Sequence, residues 1–202
     1  MGPIRPETDV ELMLEFKTGD EGAFRAIVER FQKPLINFFY RLLWDRTLAE
    51  DYAQEVFIRI YVHRDAYEPR AKFSSYLFRI ARNYWIDQHR SNSKRPSTIS
   101  LSSPLRREGE RELLLEDVVA APREAAEPSG VPAETRERVE EALRALPEEQ
   151  RMVFLLGERE GMKYSEVAQT LGIPVGTVKS RMHHAVRRLR EILARERAGG
   201  GR

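Results

Sequence analysis

Hydrogen-bond donors and cations recur on one face of a helical pattern near the end of the chain. Hydroxyl, imidazole, ammonium and guanidinium groups alternate there with apolar residues at helical spacing. Cations of this kind bind phosphates, and side-chain donors on a helix can reach base edges in the major groove of DNA. The face consists of Thr177, Lys179, Ser180, His183, His184, Arg187 and Arg188. It predicts binding to duplex DNA.

The residues just before this face have the pattern of a helix-turn-helix. Gly172 can adopt the positive φ of a tight turn, and the small Ala168 lets two helices approach closely. Pro174 suits the first turn of the second helix. The apolar residues that fill the wedge between the helices are Val167, Leu171, Ile173 and Val178. A helical hairpin with a merely solvated basic face is the alternative, but the joint agreement of these positions favours DNA binding.

The paired histidines raise the question of a metal site. His183 and His184 are adjacent, and neighbours on a helix point about 100° apart. No third ligand is in view near them. The 202 residues contain no cysteine, which excludes disulfides, thiolate zinc sites and cysteine nucleophiles. We therefore expect no metal, no cofactor and no catalytic residue.

A second pattern, in the middle of the chain, mixes aromatic rings with cations. The predicted helix from about Ser74 to Arg90 carries four aromatic residues among arginines, and Tyr67 and Phe73 lie just before it. Rings that stack on unpaired bases, beside cations that hold the backbone, suit single-stranded DNA. The alternative is that these rings form a core, because Tyr84 lies on the same helical face as the apolar Leu77 and Ala81. Taken alone, the pattern favours core packing.

A third pattern is a helix with an acidic and amide face, predicted over about 48–61. Its apolar side, Ala53, Val56, Phe57 and Ile60, is expected to face inward. The outward side consists of Asp51, Gln54, Glu55 and Arg59. An exposed face of this kind is either a protein-docking surface or simply solvated, and composition alone favours the second.

Composition divides the chain into two helical parts and a tether. Residues 9–91 and 135–197 show helical periodicity without strand signals, whereas 92–134 is rich in proline, serine, glycine and mixed charge. The fold class predicted is all-α, with two small helical domains joined by a flexible linker. The net charge is only +2, so the basic segments are local.

Local signals predict several helix boundaries and a cytoplasmic protein. We expect Asp20 to cap the second helix, Pro34 to interrupt it, and Thr47 to cap the third in a capping box with Glu50. The start of the chain lacks the apolar core of a signal peptide. No apolar run approaches the roughly 20 residues that span a bilayer, so no membrane insertion is expected.

Four segments in fixed order resemble one family. They are DYAQEVF at 51–57, YLFRIARNYWID at 76–87, ALPEEQR at 145–151 and YSEVAQTLGIPVGTVKSR at 164–181. Together they resemble the extracytoplasmic-function (ECF) sigma factors of bacterial RNA polymerase. Each segment alone is moderately specific, whereas all four in order, with a tether between the second and third, are very specific.

The resemblance implies a role for each part. Residues 9–91 look like sigma region 2, with Asp51, Gln54, Glu55 and Arg59 docking on the clamp of the polymerase β′ subunit. Residues 135–197 look like region 4, whose helix-turn-helix reads the minus-35 element, and Arg181 joins the phosphate-binding set there. The residues implied for capture of the single-stranded minus-10 element are Tyr67, Lys72, Phe73, Tyr76, Arg79, Arg82, Asn83 and Arg90.

The partners implied by the resemblance are core RNA polymerase, through its β and β′ subunits, promoter DNA and an anti-sigma factor. The chain itself would catalyse no reaction. A dimeric helix-turn-helix regulator of operator DNA is the alternative, but it leaves the aromatic and acidic helices unexplained. An enzyme acting on nucleic acid would need metal-binding carboxylates, for which only Glu50, Asp51 and Glu55 offer themselves.

Overall fold

The computed structural model describes residues 8–92 and 133–199, and within these ranges it contains α-helices and no strand. The predicted all-α class is therefore confirmed. The first group of helices is α1 (Asp9–Lys17), α2 (Glu21–Leu43), α3 (Arg46–Val62) and α4 (Phe73–Asn92), with a 3-10 turn at Arg64–Ala66. The second is α5 (Ala133–Arg144), α6 (Glu148–Phe154) with a π-helical turn at Leu155–Arg159, α7 (Tyr164–Leu171) and α8 (Val175–Gly199). Most of the predicted linker, 93–132, lies outside the described residues.

Side-chain caps fix the starts of the first two helices. Thr8 and Glu11 form a capping box at α1, in which the Glu11 carboxylate accepts from the Thr8 backbone N–H at 2.7 Å. Asp20 caps α2 by accepting from the backbone N–H groups of Gly22 at 2.8 Å and Ala23 at 3.2 Å. The predicted cap at Asp20 is confirmed.

The predicted interruption at Pro34 is wrong, because α2 runs through it without a break. A proline inside a helix removes one backbone hydrogen bond and costs about 3 kcal/mol. The residues that follow it, Leu35, Phe38 and Phe39, are buried at 1% exposure or less. Each buried side chain of this size contributes about 1.5–3 kcal/mol, which offsets the cost of the proline.

The predicted cap at Thr47 is also wrong. Helix α3 begins two residues earlier, because the carboxylate of Asp45 accepts from the backbone N–H of Leu48 at 3.0 Å. Glu50 does not complete a capping box and instead accepts from Arg46 at 2.7 Å. Asp45 and Thr47 are both residue types that cap helices, and the carboxylate of Asp45 forms the cap.

The helix-turn-helix forms as predicted around Gly172. This glycine ends α7 with φ +63°, and its backbone N–H donates to the carbonyl of Ala168. Val167, Leu171 and Val178 are buried between α7 and α8. The turn therefore depends on a left-handed backbone that a residue with a Cβ adopts only at a cost.

We expect Gly172→Ala to lower the free energy of unfolding by about 1–2 kcal/mol, because alanine pays for the left-handed conformation. A Cβ at this position would meet no atom within 4 Å, so the loss isolates backbone strain. Gly176→Ala is the matched control: it also meets nothing within 4 Å but lies inside α8, where alanine should stabilise by about 0.5–1 kcal/mol. Urea unfolding of both variants gives the two signs, and equal effects would contradict the role of the turn.

Helix α2 ends on an unusual residue, Trp44. Its φ of 59° is left-handed, and among the described residues it is the only non-glycine with positive φ. Such a conformation costs a residue with a side chain about 1–2 kcal/mol. The strain indicates that the indole ring makes contacts that hold it in place.

The two groups of helices pack against each other. Helix α4 contacts α7, and one continuous cluster of buried residues includes Phe38 and Leu77 from the first group and Val167 and Leu171 from the second.

At the far end of the π-helical turn, burial raises the pKa of Glu160 to about 7, against the opposing effect of Arg159 and Arg41.

Candidate nucleic-acid and protein interfaces

The predicted duplex-reading face lies along α8 and is open to solvent. Its six exposed members are Lys179, Ser180, His183, His184, Arg187 and Arg188, while Thr177 and Arg181 are half-buried. The opposite side of α8 packs inward through Val178, Met182 and Ala185, which are at most 3% exposed. One side of the helix thus holds it to the domain and the other presents donors and cations. We name these eight residues the recognition face.

Two arginines of the recognition face already have acidic neighbours. Arg181 pairs with Glu149 at the start of α6, and Arg187 lies 3.6 Å from Glu191 one turn along α8. The Arg181 pair joins α8 to α6 at the surface. Lys179, His183 and Arg188 have no such pairing among the described contacts and extend outward.

The aromatic residues at and just before the start of α4 are buried, whereas base stacking would require exposed rings. Tyr67 and Phe73 are each only 1% exposed and belong to the core, so in this conformation neither ring can stack on a base. Their rings contact those of Tyr76 and Phe31, with centroids 4.9 and 5.2 Å apart. Burial raises the pKa of the Tyr67 hydroxyl. The core alternative therefore holds for these two residues.

The exposed part of this region is cationic and polar. Lys72, Arg79 and Asn83 are exposed, and Tyr76 and Arg82 are half-buried. The guanidinium of Arg79 lies 5.7 Å from the ring centroid of Tyr76. The arrangement offers a ring edge beside cations along the start of α4, which suits a nucleic-acid backbone with one stacking base. The side chain of Arg90 lies outside the described residues.

Lys17 holds this loop in place, which the sequence did not reveal. Its ammonium, at the end of α1, donates to the backbone carbonyl of Tyr67 at 2.9 Å. The bond joins the loop to a helix far away in the chain, and no local pattern indicates such a pairing. The exposed cationic residues at the start of α4 therefore lie over a core that contains Tyr67 and Phe73. The loop that carries Tyr67 is held by its hydrogen bond to Lys17 of α1.

The acidic face of α3 is partly exposed and partly structural. Asp51 and Gln54 are exposed, whereas Glu55 and Arg59 are half-buried. The Nε of Arg59 donates to Glu55 at 3.2 Å, and its guanidinium lies 4.6 Å from the ring centroid of Tyr84 on α4. Arg59 therefore fastens α3 to α4 as well as lining the face.

Two apolar residues extend the same stripe and were missed from the sequence. Leu48 is 37% exposed and Val62 is 56% exposed. Their spacing from Asp51 and Arg59, three residues in each case, places them on that side of α3. The helical spacing of Leu48 and Val62 could have been recognised in the sequence, but the charged residues between them made the face look purely polar. This stripe of polar residues with an exposed apolar residue at each end is a candidate protein-contact surface.

The described residues offer no cluster of three or more histidine, aspartate or glutamate side chains that could hold a metal ion. Within the same ranges, no helix is both long enough and apolar enough to cross a membrane.

Comparison with known families places both groups of helices. The family model for sigma-70 region 2 matches residues 27–95, and the model for sigma-70 region 4 matches residues 136–189. The ECF RNA polymerase sigma factor SigW of Bacillus subtilis is 34% identical over 179 residues, which is 89% of this chain and 93% of that protein.

Two solved structures share the fold. CnrH, in complex with the cytosolic domain of CnrY, matches with a TM-score of 0.65 at 23% identity, over 93% of this chain and 98% of that one. The sigma factor RpoE of Bartonella quintana, in complex with the anti-sigma factor NepR, matches with a TM-score of 0.59 at 23% identity, over 85% of this chain and 96% of that one.

The described residues are helical, and they match sigma-70 region 2 and a region 4 that contains the helix-turn-helix. The protein is therefore a DNA-binding transcription initiation factor. The chain belongs to the ECF sigma factors, and it is a promoter-recognising sigma factor.

Proposed function

We propose that this sigma factor works through three surfaces, each with its own partner. The recognition face on α8 reads the duplex minus-35 element, and the exposed start of α4 captures the single-stranded minus-10 element. The observation that supports this division is the separation of the two surfaces. An open, donor-rich helix face lies in the second domain, and a cationic surface beside Tyr76 lies in the first.

The minus-10 assignment keeps Lys72, Tyr76, Arg79, Arg82 and Asn83 as the members that can contact DNA, and we name these five the strand-capture surface. Tyr67 and Phe73 support it from below as core residues. Arg90 stays a prediction. Capturing an unpaired base costs a few kcal/mol of unstacking, which phosphate contacts from Lys72 and Arg79 can offset.

The third surface is the outer side of α3. We propose that Asp51, Gln54, Glu55 and Arg59, the clamp-docking face, bind the β′ subunit of core polymerase, and that the second domain contacts the β subunit. Phosphodiester chemistry then belongs to the core enzyme, and this chain is not catalytic. Its place of action is the cytoplasm, where polymerase and chromosome meet. The division into 9–91, 92–134 and 135–197 is part of the same proposal.

An anti-sigma factor is the further partner that we propose. The solved RpoE structure contains the anti-sigma factor NepR, and the CnrH structure contains the cytosolic domain of CnrY. A regulator of this chain would act by covering the clamp-docking face or the DNA-reading surfaces, since these are the groups whose exposure initiation requires.

The decisive experiment adds the purified chain to bacterial core RNA polymerase on fragments of genomic DNA. We expect new transcription start sites, each preceded by a shared pair of upstream elements, whereas core polymerase alone initiates at none of them. Start-site mapping by RNA sequencing supplies both elements at once. If the mixture opens no start site, the proposed function fails. Operator binding without association with core polymerase would instead favour a helix-turn-helix regulator.

A further inference from the structure

The interface between the two domains covers part of the strand-capture surface. Helix α7, the first helix of the helix-turn-helix, packs against α4. Its Glu166 accepts from the ammonium of Lys72 at 3.0 Å. A carboxylate therefore occupies the neighbourhood of a cation that we assign to a DNA phosphate, so that α7 and the strand compete for the same group.

A cleft of about 320 Å³ at this interface shows the same overlap. Arg70, Tyr76 and Arg79 line it from the first domain, and Gln169 and Thr170 of α7 line it from the second. Thr170 is only 2% exposed, so α7 packs directly against α4 at this point. A base that approached the ring of Tyr76 from this side would meet Gln169 and Thr170.

Trp44 holds the two domains together at the other end of the interface. Its ring centroid lies 4.6 Å from the guanidinium carbon of Arg144 and 5.7 Å from that of Arg151, both in the second domain. The indole also packs on an apolar cluster that contains Leu143 and Leu146. These are the contacts that hold its left-handed backbone in place.

Polar contacts add to this clasp. The hydroxyl of Tyr40 donates to Glu140 at 3.3 Å, and His89 lies 3.6 Å from Glu148. Arg151 is buried and donates to the carbonyl of Arg144 at 3.4 Å, which fixes the guanidinium beneath the indole. The clasp is therefore built from residues that serve none of the three proposed binding surfaces.

We propose that in the free chain α7 is a lid on the strand-capture surface, held closed by Trp44. The proposal rests on the single-strand role assigned to that surface. The lid is selective, because the recognition face on α8 stays exposed in the closed form. The free chain can therefore meet duplex DNA, whereas the covered part of the strand-capture surface, at Lys72 and on the cleft side of Tyr76, becomes available only when the domains part.

Trp44→Gly tests the clasp at the cost, within the first domain, of the ring contact between Trp44 and Tyr40. Glycine adopts the left-handed backbone without the cost that a Cβ imposes, so α2 keeps its end, while the contacts to Arg144 and Arg151 are lost. Glu166→Gln tests the lid from the second domain, because it removes the charge that pairs with Lys72, while a glutamine oxygen can still accept from the backbone N–H of Lys163 at the start of α7. Glu50→Gln, which removes the charge from an exposed pair with Arg46 within the first domain, is the matched control.

The probe is a fluorescent single-stranded oligonucleotide that carries the non-template minus-10 sequence found by start-site mapping. We expect the free Trp44→Gly chain to bind it roughly tenfold more tightly than the unaltered chain, Glu166→Gln a few-fold more tightly, and Glu50→Gln with no change. Binding to a minus-35 duplex should be the same in all four proteins, because the recognition face is open throughout.

Opening itself is measured by the distance between two spin labels. The chain has no cysteine, so Glu29→Cys and Glu158→Cys, both at exposed positions, give one label in each domain. Trp44→Gly should lengthen and broaden the distance distribution. An unchanged distribution would overturn the clasp, and parted domains with unaltered strand affinity would overturn the lid. Failure of the assembled holoenzyme to capture the same strand would instead contradict the proposed function.

Discussion

Alanine at both Lys179 and His183 should weaken binding of the holoenzyme to a minus-35 duplex roughly thirtyfold or more, with affinity for core polymerase unchanged. Both residues are exposed on the recognition face, one helical turn apart, and neither lies against the first domain. A good contact between a side chain and a base edge contributes about 1–3 kcal/mol of discrimination, and two are lost here. Anisotropy of a labelled duplex, selected from random sequence by the unaltered holoenzyme, measures the effect.

Arg187→Ala with Arg188→Ala is the matched comparison, because it removes cations from the same exposed face. If these arginines contact phosphates, affinity should fall equally for selected and scrambled duplexes. The slope of log affinity against log salt should fall by about 0.9 for each lost phosphate contact. The Lys179 and His183 variant should lose its preference between the two duplexes. A loss of core binding by that variant would contradict the division of labour between the domains.

Local signals predicted the second domain better than the first. Gly172, Ala168 and the apolar positions around them specify one turn and one helix pair, and the structure has both. Those signals act between residues close in the chain, so they can be read from periodicity and backbone preference. The exposed side of α8 followed directly, because the other side has to bury Val178 and Met182.

The errors at Pro34 and Thr47 have a different physical origin. In each case a local rule competed with a stronger term: burial of the residues around Pro34, and the carboxylate of Asp45 as a cap. Tyr67 and Phe73 show a similar competition, because rings that could stack on bases are buried in the core, and their part in minus-10 capture stays a prediction. Sequence shows which groups are available but not which of two demands prevails.

The domain interface could not be predicted at all. Lys72 with Glu166, and Trp44 with Arg144, join residues from opposite sides of the linker, and no spacing within one helix indicates such pairs. The positive φ of Trp44 is likewise visible only in the structure. The sequence therefore predicted which faces of the helices are exposed within each domain. It did not predict which of these faces are covered by the other domain.

Asp51→Lys should reduce the affinity of the chain for core polymerase roughly a hundredfold or more, the second large effect that we expect. Asp51 is exposed one helical turn from Leu48 in the stripe bounded by Leu48 and Val62, and reversal of a charge opposite a complementary partner costs several kcal/mol. The substitution should leave α3 intact, because the introduced cation can pair with Glu55 one turn along the helix. Interferometry with immobilised core polymerase measures the loss.

Glu29→Lys provides the control, since it makes the same charge change at an exposed position on α2, outside the clamp-docking face. It should bind core polymerase like the unaltered chain, so a shared loss would point to net charge and not to the face. Both variants should keep the same unfolding midpoint and the same affinity for a minus-35 duplex. Because Arg59 also ties α3 to α4 through Tyr84, substituting it would confuse docking with stability. Asp51 avoids that ambiguity, and an Asp51→Lys chain that bound core polymerase normally would remove this face of α3 from the docking surface.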